Sequence, residues 1–244
     1  MTVTDVNVVK SAIFERPDDA NKGTLGSLLC VCGSYGMAGA AVMSAKGALR
    51  TGIGLAKCAL PRSIYPIVAQ TILESVYYPL SENADGRISK VNVPFLVSES
   101  CKSSATLVGC GLGVCDDTLK IVFSLIENST TPLVLDADAL NCVAKQPEIL
   151  LRKKAPIIIT PHPGEMSRLT GLATPLVNAE RQRVALDFAQ KYGVVTVLKG
   201  AGTVIASSNG KVLVNPTGNS GMATGGSGDV LAGTVSYTHL RAHE

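Results

Sequence analysis

The part of this 244-residue chain best suited to chemistry is a glycine-dense stretch, residues 219–233, which reads NSGMATGGSGDVLAG. Its last residues are apolar and predict the start of a helix. Backbone N–H groups at a helix N-terminus bind anions, and glycine leaves them open because it has no Cβ. The stretch therefore predicts a cradle for a phosphate group.

One carboxylate, Asp229, lies in this glycine turn. It is not there to bind phosphate, because like charges repel. Its physical use is as a base that takes the proton from a hydroxyl group attacking phosphorus. The alternative is that Asp229 caps the helix that follows. Capping alone would not need five surrounding glycines, which favours the base.

Two familiar nucleotide-binding motifs are missing from the sequence. There is no G-x-x-x-x-G-K-[ST] of a P-loop, and no G-x-G-x-x-G follows a predicted strand. A shorter glycine turn, GCGLG at residues 109–113, follows a predicted strand. It indicates a place where the backbone meets a ligand at the carboxyl edge of a sheet.

Two more polar segments follow predicted strands: TPHPGE at residues 160–165 and KGAGT at 199–203. The two prolines present His162 rigidly, as a ligand contact or as a structural residue. Glu165 starts a helix, and its role can be limited to the helix dipole. Lys199 suits the phosphates or ribose of a nucleotide, or is a surface residue in a hairpin turn.

Asp136 and Asp138 flank the end of another predicted strand. Carboxylates so placed can hold Mg²⁺ through water. Asp138 can equally cap the following helix.

Apolar runs alternate with helical patterns along the chain, which predicts an α/β fold with a largely parallel sheet. Continuous apolar strands, such as residues 132–135, fit burial on both faces. A long helix is predicted over residues 177–192. Residues 204–206 and 212–214 flank Ser208-Asn209-Gly210 and predict a late antiparallel hairpin. The strands predicted before it are residues 28–32, 55–60, 74–79, 106–109, 132–136, 157–160 and 194–198.

Composition excludes several classes of protein. Aromatic residues make up 4%, and no Lys/Arg run reads as a nucleic-acid patch despite a net charge of +3. No apolar stretch approaches the length of a membrane span, about 20 residues. Seven cysteines without a C-x-x-C pair and three histidines lack zinc-ligand spacing, and an odd count indicates a reducing, cytoplasmic setting.

In their order along the chain, these segments resemble the ADP/ATP-dependent NAD(P)H-hydrate dehydratases, a branch of the ribokinase-like fold. The resemblance extends from about residue 22 to residue 233. It implies a ribokinase-like domain whose central, mostly parallel sheet has helices on both faces. The matching segments are residues 33–34, 37–40, 111–113, 135–141, 160–165, 199–203 and 219–229.

The resemblance implies a reaction on the S epimer of hydrated NADH or NADPH (NADHX or NADPHX). ADP or ATP phosphorylates the hydroxyl of the hydrated ring, and phosphate then leaves to restore NAD(P)H. Asp229 would be the base for that hydroxyl, and Mg²⁺ would bridge the phosphates. Gly225, Gly226 and Gly228 would form an anion hole for the phosphoryl group.

The resemblance also implies binding residues and a homo-oligomer, with a tetramer as the candidate size. No metal ligand follows from it. The hydrated cofactor would contact Ala40, Gly113, His162 and Asp229, with part of the stretch up to Arg168. The nucleotide would contact Lys199, Gly200, Ala201, Gly202, Thr203, Asn219 and Gly228.

The chain departs from the family pattern at Cys32, where a second glycine is usual, and at Cys110, where proline is usual. After Gly233 the family continues with apolar helices, whereas residues 236–244 show no apolar helical face. We therefore expect an N-terminal arm at residues 1–22, a dehydratase domain at 23–235 that is incomplete at its C-terminal end, and an atypical, truncated or foreign tail. The chain is too short for the epimerase domain fused to many such dehydratases.

Two other functions remain open at this point. A ribokinase-like kinase for a small alcohol, such as a vitamin precursor, would share the GGxGD segment but explains residues 160–165 and 199–203 less well. Asp229 argues against a nucleotide-binding protein without catalysis, because a carboxylate beside a phosphate does not strengthen nucleotide binding.

Overall fold

The computed structural model describes residues 2–3 and 18–241, with side chains over residues 18–236. Most of the predicted arm at residues 1–22, and residues 242–244 of the predicted tail, lie outside the described residues. Within the described part, one ten-stranded sheet has the order β1-β10-β9-β8-β7-β6-β5-β2-β3-β4. Its strands are β1 (Thr2–Val3), β2 (Ser27–Val31), β3 (Leu55–Pro61), β4 (Val76–Leu80), β5 (Ala105–Val108), β6 (Leu133–Leu135), β7 (Ile157–Ile159), β8 (Val195–Leu198), β9 (Thr203–Ala206) and β10 (Val212–Asn215).

Every neighbouring pair from β4 to β8 is parallel. The chain then reverses, because β9 is antiparallel to both β8 and β10. The predicted mostly parallel sheet and the late hairpin are both confirmed. Parallel strands bring their carboxyl ends to one edge, so the loops after β5, β6, β7 and β8 meet there.

Helices cover both faces of the sheet. The longer ones alternate with the strands: α1 (Ala38–Thr51), α2 (Tyr65–Thr71), α3 (Val93–Cys101), α4 (Asp116–Asn128), α5 (Asp138–Val143), α6 (Pro163–Thr170), α7 (Thr174–Ala179), α8 (Arg181–Tyr192) and α9 (Ser227–Arg241). Short 3₁₀ helices occur at Lys90–Asn92, Pro147–Arg152 and Ser220–Met222.

Two apolar cores lie on opposite faces of the sheet, and β2 contributes to both. Leu29 and Val31 join the core beneath α3 to α8, whereas Leu28 and Cys30 join the core beneath α1, α2 and α9. Side chains alternate across a strand, so a strand buried on both faces must be apolar throughout. No helix in residues 18–241 is long and apolar enough to cross a membrane.

The predicted single helix over residues 177–192 is wrong. It is two helices, because Glu180 has a non-helical backbone (φ −123°, ψ 37°) between α7 and α8. The break starts α8 at Arg181, whose guanidinium donates to the carbonyls of Leu198 and Lys199 at 2.8 and 3.1 Å. The interruption therefore serves the loop after β8.

The last helix, α9, continues to Arg241, past the domain boundary predicted at residue 235. Ser236 is buried, and its hydroxyl donates to the carbonyl of Ala232 at 2.7 Å. The division of the chain into arm, domain and tail stays a prediction.

Helix α9 packs closely on α1 because each helix has a glycine at the crossing. A Cβ at Gly233 would overlap the carbonyl oxygen of Ser44, and one at Gly47 would overlap the backbone of Val230. This crossing fixes the start of α9, where the glycine cradle and Asp229 lie.

We expect Gly233→Ala to lower the free energy of unfolding by about 1–3 kcal/mol, the usual cost of overpacking. The matched control is Gly39→Ala in α1, where the nearest atom to an added Cβ is 3.9 Å away. The control should leave stability unchanged or raise it by up to about 1 kcal/mol. Urea unfolding of the two variants measures both effects, and equal stabilities would contradict this view of the crossing.

Candidate active site

Three neighbouring strand ends are tied together at the carboxyl edge of the sheet. Asp136 follows β6, Thr160 follows β7 and Lys199 follows β8. The Oδ1 atom of Asp136 accepts from the Thr160 hydroxyl at 2.8 Å and from Lys199 Nζ at 2.6 Å. Asp136 is 1% exposed and the Lys199 side chain 17%. The interpretation of Lys199 as a surface residue is therefore wrong.

Burial lowers the pKa of Lys199, but Asp136 and then Glu165 raise it, and the net direction is upward. The Glu165 carboxylate lies 3.7 Å from Lys199 Nζ. The ammonium group therefore stays charged and supplies a fixed positive charge at the base of the cleft.

His162 has a structural role. Its Nδ1 accepts from the backbone amides of Gly164 and Glu165 at 3.0 and 3.3 Å, and the Glu165 carboxylate accepts from the His162 amide at 2.7 Å. This reciprocal arrangement is a capping box at the start of α6. The ring remains 50% exposed, so it can also meet a ligand, and its contact with the substrate stays a prediction.

Asp229 lies in the first turn of α9, two residues after its start at Ser227. The alternative of an N-cap is therefore wrong. Burial raises the pKa of Asp229, and the nearby charge of Asp136 raises it further. A hydrogen bond from Cys110 and the charge of Lys199 lower it, but the net pKa shift is upward. A carboxylate held in this way is a better proton acceptor than one in water.

The glycine cradle borders the Lys199 ammonium group. A Cβ at Gly228 would lie 3.6 Å from Lys199 Nζ and 4.0 Å from Asp136 Oδ2. Gly226 has a φ of +89°, a backbone angle that residues with a side chain rarely adopt. A Cβ at this position would also overlap the sulfur of Met43. Gly225 is exposed, with open space around it. An anion here would meet open backbone and a positive charge.

The turn of residues 199–203 lies beside this cradle. Arg181 holds it from behind, and the Thr203 hydroxyl donates to the Gly200 carbonyl at 3.0 Å. Ala201 at its tip is exposed. The Asn219 side chain accepts from the Gly221 amide at 2.9 Å and so shapes the loop before the cradle. The roles of these residues in nucleotide binding stay predictions.

Two of the four residues predicted to contact the hydrated cofactor, Ala40 and Gly113, lie on the other side, after β2 and β5. Ala40 is buried in the first turn of α1, against Gly111. The Gly113 amide donates to Asp138 Oδ2 at 2.8 Å. Asp138 therefore fixes the β5 loop and makes no side-chain cap for α5. The roles of Ala40 and Gly113 in binding also stay predictions.

The structure adds residues for which sequence reasoning had no specific role. Arg87 lies against Gly113, so that a Cβ there would overlap its side chain, and Arg181 supports the Lys199 turn. Neither belongs to a motif, and no local spacing could have indicated them. The structure also brings Cys110 to the site, because ligand atoms of Cys110, Asp136 and Asp229 all lie within 4.8 Å of one another.

The mostly parallel sheet with helices on both faces has a ribokinase-like fold, as in a ribokinase-like superfamily protein from Enterococcus faecalis with a TM-score of 0.82 and 23% identity. Within that fold class, the chain matches the model of the NAD(P)H-hydrate dehydratase family over residues 28–238. The chain belongs to this family.

Three similar proteins agree with this assignment. A bifunctional NAD(P)H-hydrate repair enzyme Nnr from Thermofilum pendens is 41% identical over 221 residues, which are 91% of this chain and 42% of that protein. An ADP-dependent (S)-NAD(P)H-hydrate dehydratase from Neisseria meningitidis is 34% identical over 90% of this chain and 71% of its own length. The ADP/ATP-dependent NAD(P)H-hydrate dehydratase from Bacillus subtilis, co-crystallised with ATP/Mg²⁺, has a TM-score of 0.84 and 30% identity, covering 99% of this chain and 86% of its own.

We expect Lys199→Met to lower the free energy of unfolding by about 3–5 kcal/mol, because it leaves the buried Asp136 charge unpaired. The double variant Asp136→Asn/Lys199→Met should regain part of that loss, since no unpaired charge remains. The control, Lys102→Met, removes a pair with Glu99 in which Lys102 is 65% exposed, and should cost at most about 1 kcal/mol. Urea unfolding at neutral pH measures all three, and equal losses for both lysines would contradict a buried pair.

Proposed function

We propose that this chain carries out the ADP- or ATP-dependent dehydration of the S epimer of NADHX or NADPHX, restoring NADH or NADPH. The observation that carries the proposal is Asp229, a half-buried carboxylate at the mouth of a glycine cradle that faces the Lys199 ammonium group. Family membership supports it. The chain spans about two fifths of the length of the bifunctional relative described above, so its own activity is a proposal.

The reaction has two steps. The Asp229 carboxylate takes the proton of the ring hydroxyl, whose oxygen attacks the terminal phosphorus of the nucleotide; ADP leaves as AMP, or ATP as ADP. The ring then expels the phosphate and loses a proton from the neighbouring carbon, which restores the double bond. The amides of Gly225, Gly226 and Gly228 stabilise the charge on the phosphoryl group during transfer.

The nucleotide lies along the turn of Lys199, Gly200, Ala201, Gly202 and Thr203, with Asn219 and Gly228 beside its phosphates. The Asp136 carboxylate is a hard oxygen donor on one side of this site and would hold the magnesium of a magnesium–nucleotide complex through water, which leaves Asp229 free to act as the base. Bound Mg²⁺ would neutralise charge on the phosphates. Lys199 adds a second positive charge and orients the phosphates towards Asp229.

The hydrated cofactor lies against Ala40 and Gly113 on the opposite side and extends to the exposed edge of His162, which follows β7. The ring hydroxyl then faces Asp229, between the two sets of residues. Arg87, beside Gly113, is placed to pair with a phosphate of the cofactor.

We also infer a cytoplasmic homo-oligomer, with a tetramer as the candidate size. The seven cysteines are all free, which fits a reducing compartment. Ile67, Leu73 and Val76 are exposed near the β4 edge of the sheet, with Leu73 83% exposed, and such apolar surface suits contact with another copy.

We expect Asp229→Asn to lower turnover by about 10²–10⁴-fold, because the amide cannot accept the hydroxyl proton. Absorbance of the reduced nicotinamide ring measures turnover, with NADHX, Mg²⁺ and either ADP or ATP. The control is Asp187→Asn, an exposed aspartate on α8, which should keep the rate of the unaltered chain.

Three other outcomes would each contradict part of this proposal. Turnover by Asp229→Asn at the normal rate would show that Asp229 is not the base. A stable phosphorylated product from a small alcohol, without return of nicotinamide absorbance, would indicate a kinase. Nucleotide binding without turnover in the unaltered, folded chain would indicate a binding protein.

The pH dependence of kcat/KM should reflect the raised pKa of Asp229. The base must be ionised, so activity falls as the pH drops through its pKa. We expect the midpoint of the acidic limb above the ordinary aspartate value of about 3.9. Lys199 lowers the pKa of Asp229, so Lys199→Met should move this midpoint higher still. A midpoint that moves lower in Lys199→Met would contradict the assignment.

A further inference from the structure

A buried thiol faces the two carboxylates of the proposed reaction centre. Cys110 Sγ lies 3.8 Å from Asp136 Oδ2, and ligand atoms of Cys110, Asp136 and Asp229 all lie within 4.8 Å of one another. Cys110 is 0% exposed and Asp136 1%, while Asp229 opens towards the cleft. Three atoms that can each bind a cation therefore converge, two from buried residues and one from a partly exposed residue.

The Asp136 carboxylate has an oxygen that lacks a strong partner. Its Oδ1 accepts from both Thr160 and Lys199, but in residues 18–236 Oδ2 receives only the Cys110 thiol. A thiol is a weak donor, and a buried carboxylate oxygen normally has a better one. Oδ2 thus keeps lone pairs directed at the space between Cys110 and Asp229.

A second thiol lies next to the first. Cys32, at the end of β2, is 1% exposed and belongs to the same buried cluster as Cys110. Its thiol interacts with that of Cys110. Cys32 is not among the ligand atoms that lie within 4.8 Å of one another, so the set has three protein ligands and leaves the fourth position to water.

We propose that Cys110, Asp136 and Asp229 form a binding site for a thiophilic divalent cation such as Zn²⁺, with a water molecule as the fourth ligand. On binding, the Cys110 S–H bond breaks, a Zn–S bond forms and the proton passes to solvent. Zn–S bonds are about 2.3 Å and Zn–O bonds about 2.0–2.2 Å. Ligand atoms within 4.8 Å of one another reach this geometry by small side-chain rotations.

The site distinguishes zinc from magnesium by its sulfur. Thiolate ligands select soft cations, whereas Mg²⁺ prefers six oxygens and keeps much of its water. Zinc bound here occupies the Asp229 carboxylate, which then cannot take a proton. The inference that zinc inhibits the enzyme rests on the proposed function. The inference that zinc binds here is independent of that function.

Cobalt is the probe for the binding site, because a thiolate bound to Co²⁺ gives a charge-transfer band in the near ultraviolet. The full chain is titrated with Co²⁺ in a buffer that contains a phosphine reductant and no nucleotide. We expect one equivalent to produce the band, Zn²⁺ to abolish it and a large excess of Mg²⁺ to leave it unchanged. Absence of the band in the unaltered chain would overturn the proposal.

Two cysteine variants identify the ligand. Cys110→Ala should lose the band and bind Zn²⁺ at least about tenfold more weakly, since even an outer-shell partner contributes that much. The matched control, Cys101→Ala, removes a part-buried thiol that lies near the Asn128 carbonyl, outside the cluster, and should keep both properties. Circular dichroism verifies that each variant is folded. A band that persists in folded Cys110→Ala would overturn the site.

Inhibition is measured separately, as the loss of NADHX turnover with added Zn²⁺, each variant compared with its own zinc-free rate. We expect Cys110→Ala to need at least about tenfold more Zn²⁺ for the same loss, as its affinity predicts. A cobalt band without zinc inhibition would overturn the inhibitory role and leave the binding site. If no variant turned over NADHX, the proposed function would fail, and the cobalt titration would still decide the site.

Discussion

Lys199 and Asp136 form a buried ion pair that joins the ends of β6 and β8 across the end of β7, which adds the Thr160 hydroxyl. Asp136, Glu165 and Asp229 place three carboxylates in this region, and without a positive charge they would repel any phosphate. Lys199 reduces this negative charge, because its ammonium group lies beside two of the carboxylates and also borders the glycine cradle. Geometry and electrostatics of the site therefore depend on the same pair.

The pair also depends on features outside the sheet edge. Arg181 holds the backbone that carries Lys199, and it can do so only because α7 and α8 are separate helices. On the other side, Asp229 is positioned by α9, and α9 by the glycine crossing with α1. Each charged group of the centre thus rests on a backbone contact elsewhere in the fold.

Much of this arrangement could be predicted from sequence, because the informative segments are local. Strands such as residues 132–135 are apolar throughout, and short apolar segments, residues 204–206 and 212–214, flank the hairpin turn at Ser208-Asn209-Gly210. The cradle and its aspartate are contiguous in the chain. These features give the sheet, the late hairpin and the residue proposed as the base.

Other features could not be predicted, because they are contacts between distant segments. Lys199 is 63 residues from Asp136, and its sequence context fits a surface turn as well as a buried pair. The break at Glu180 has no proline or glycine to mark it. Zinc-ligand spacing is absent from the sequence, yet Cys110, Asp136 and Asp229 come together from three loops. Only the assembled sheet edge shows these relationships.

The order of the site residues along the chain has a consequence for synthesis on the ribosome. Asp136 and Lys199 emerge first, and their strands can pair before α9 has left the exit tunnel. A nascent chain at that stage holds the positive charge for a phosphate but lacks the aspartate and the cradle, which arrive together at the start of α9. Both parts of the proposed reaction centre that α9 carries therefore reach their positions together, when α9 packs against α1.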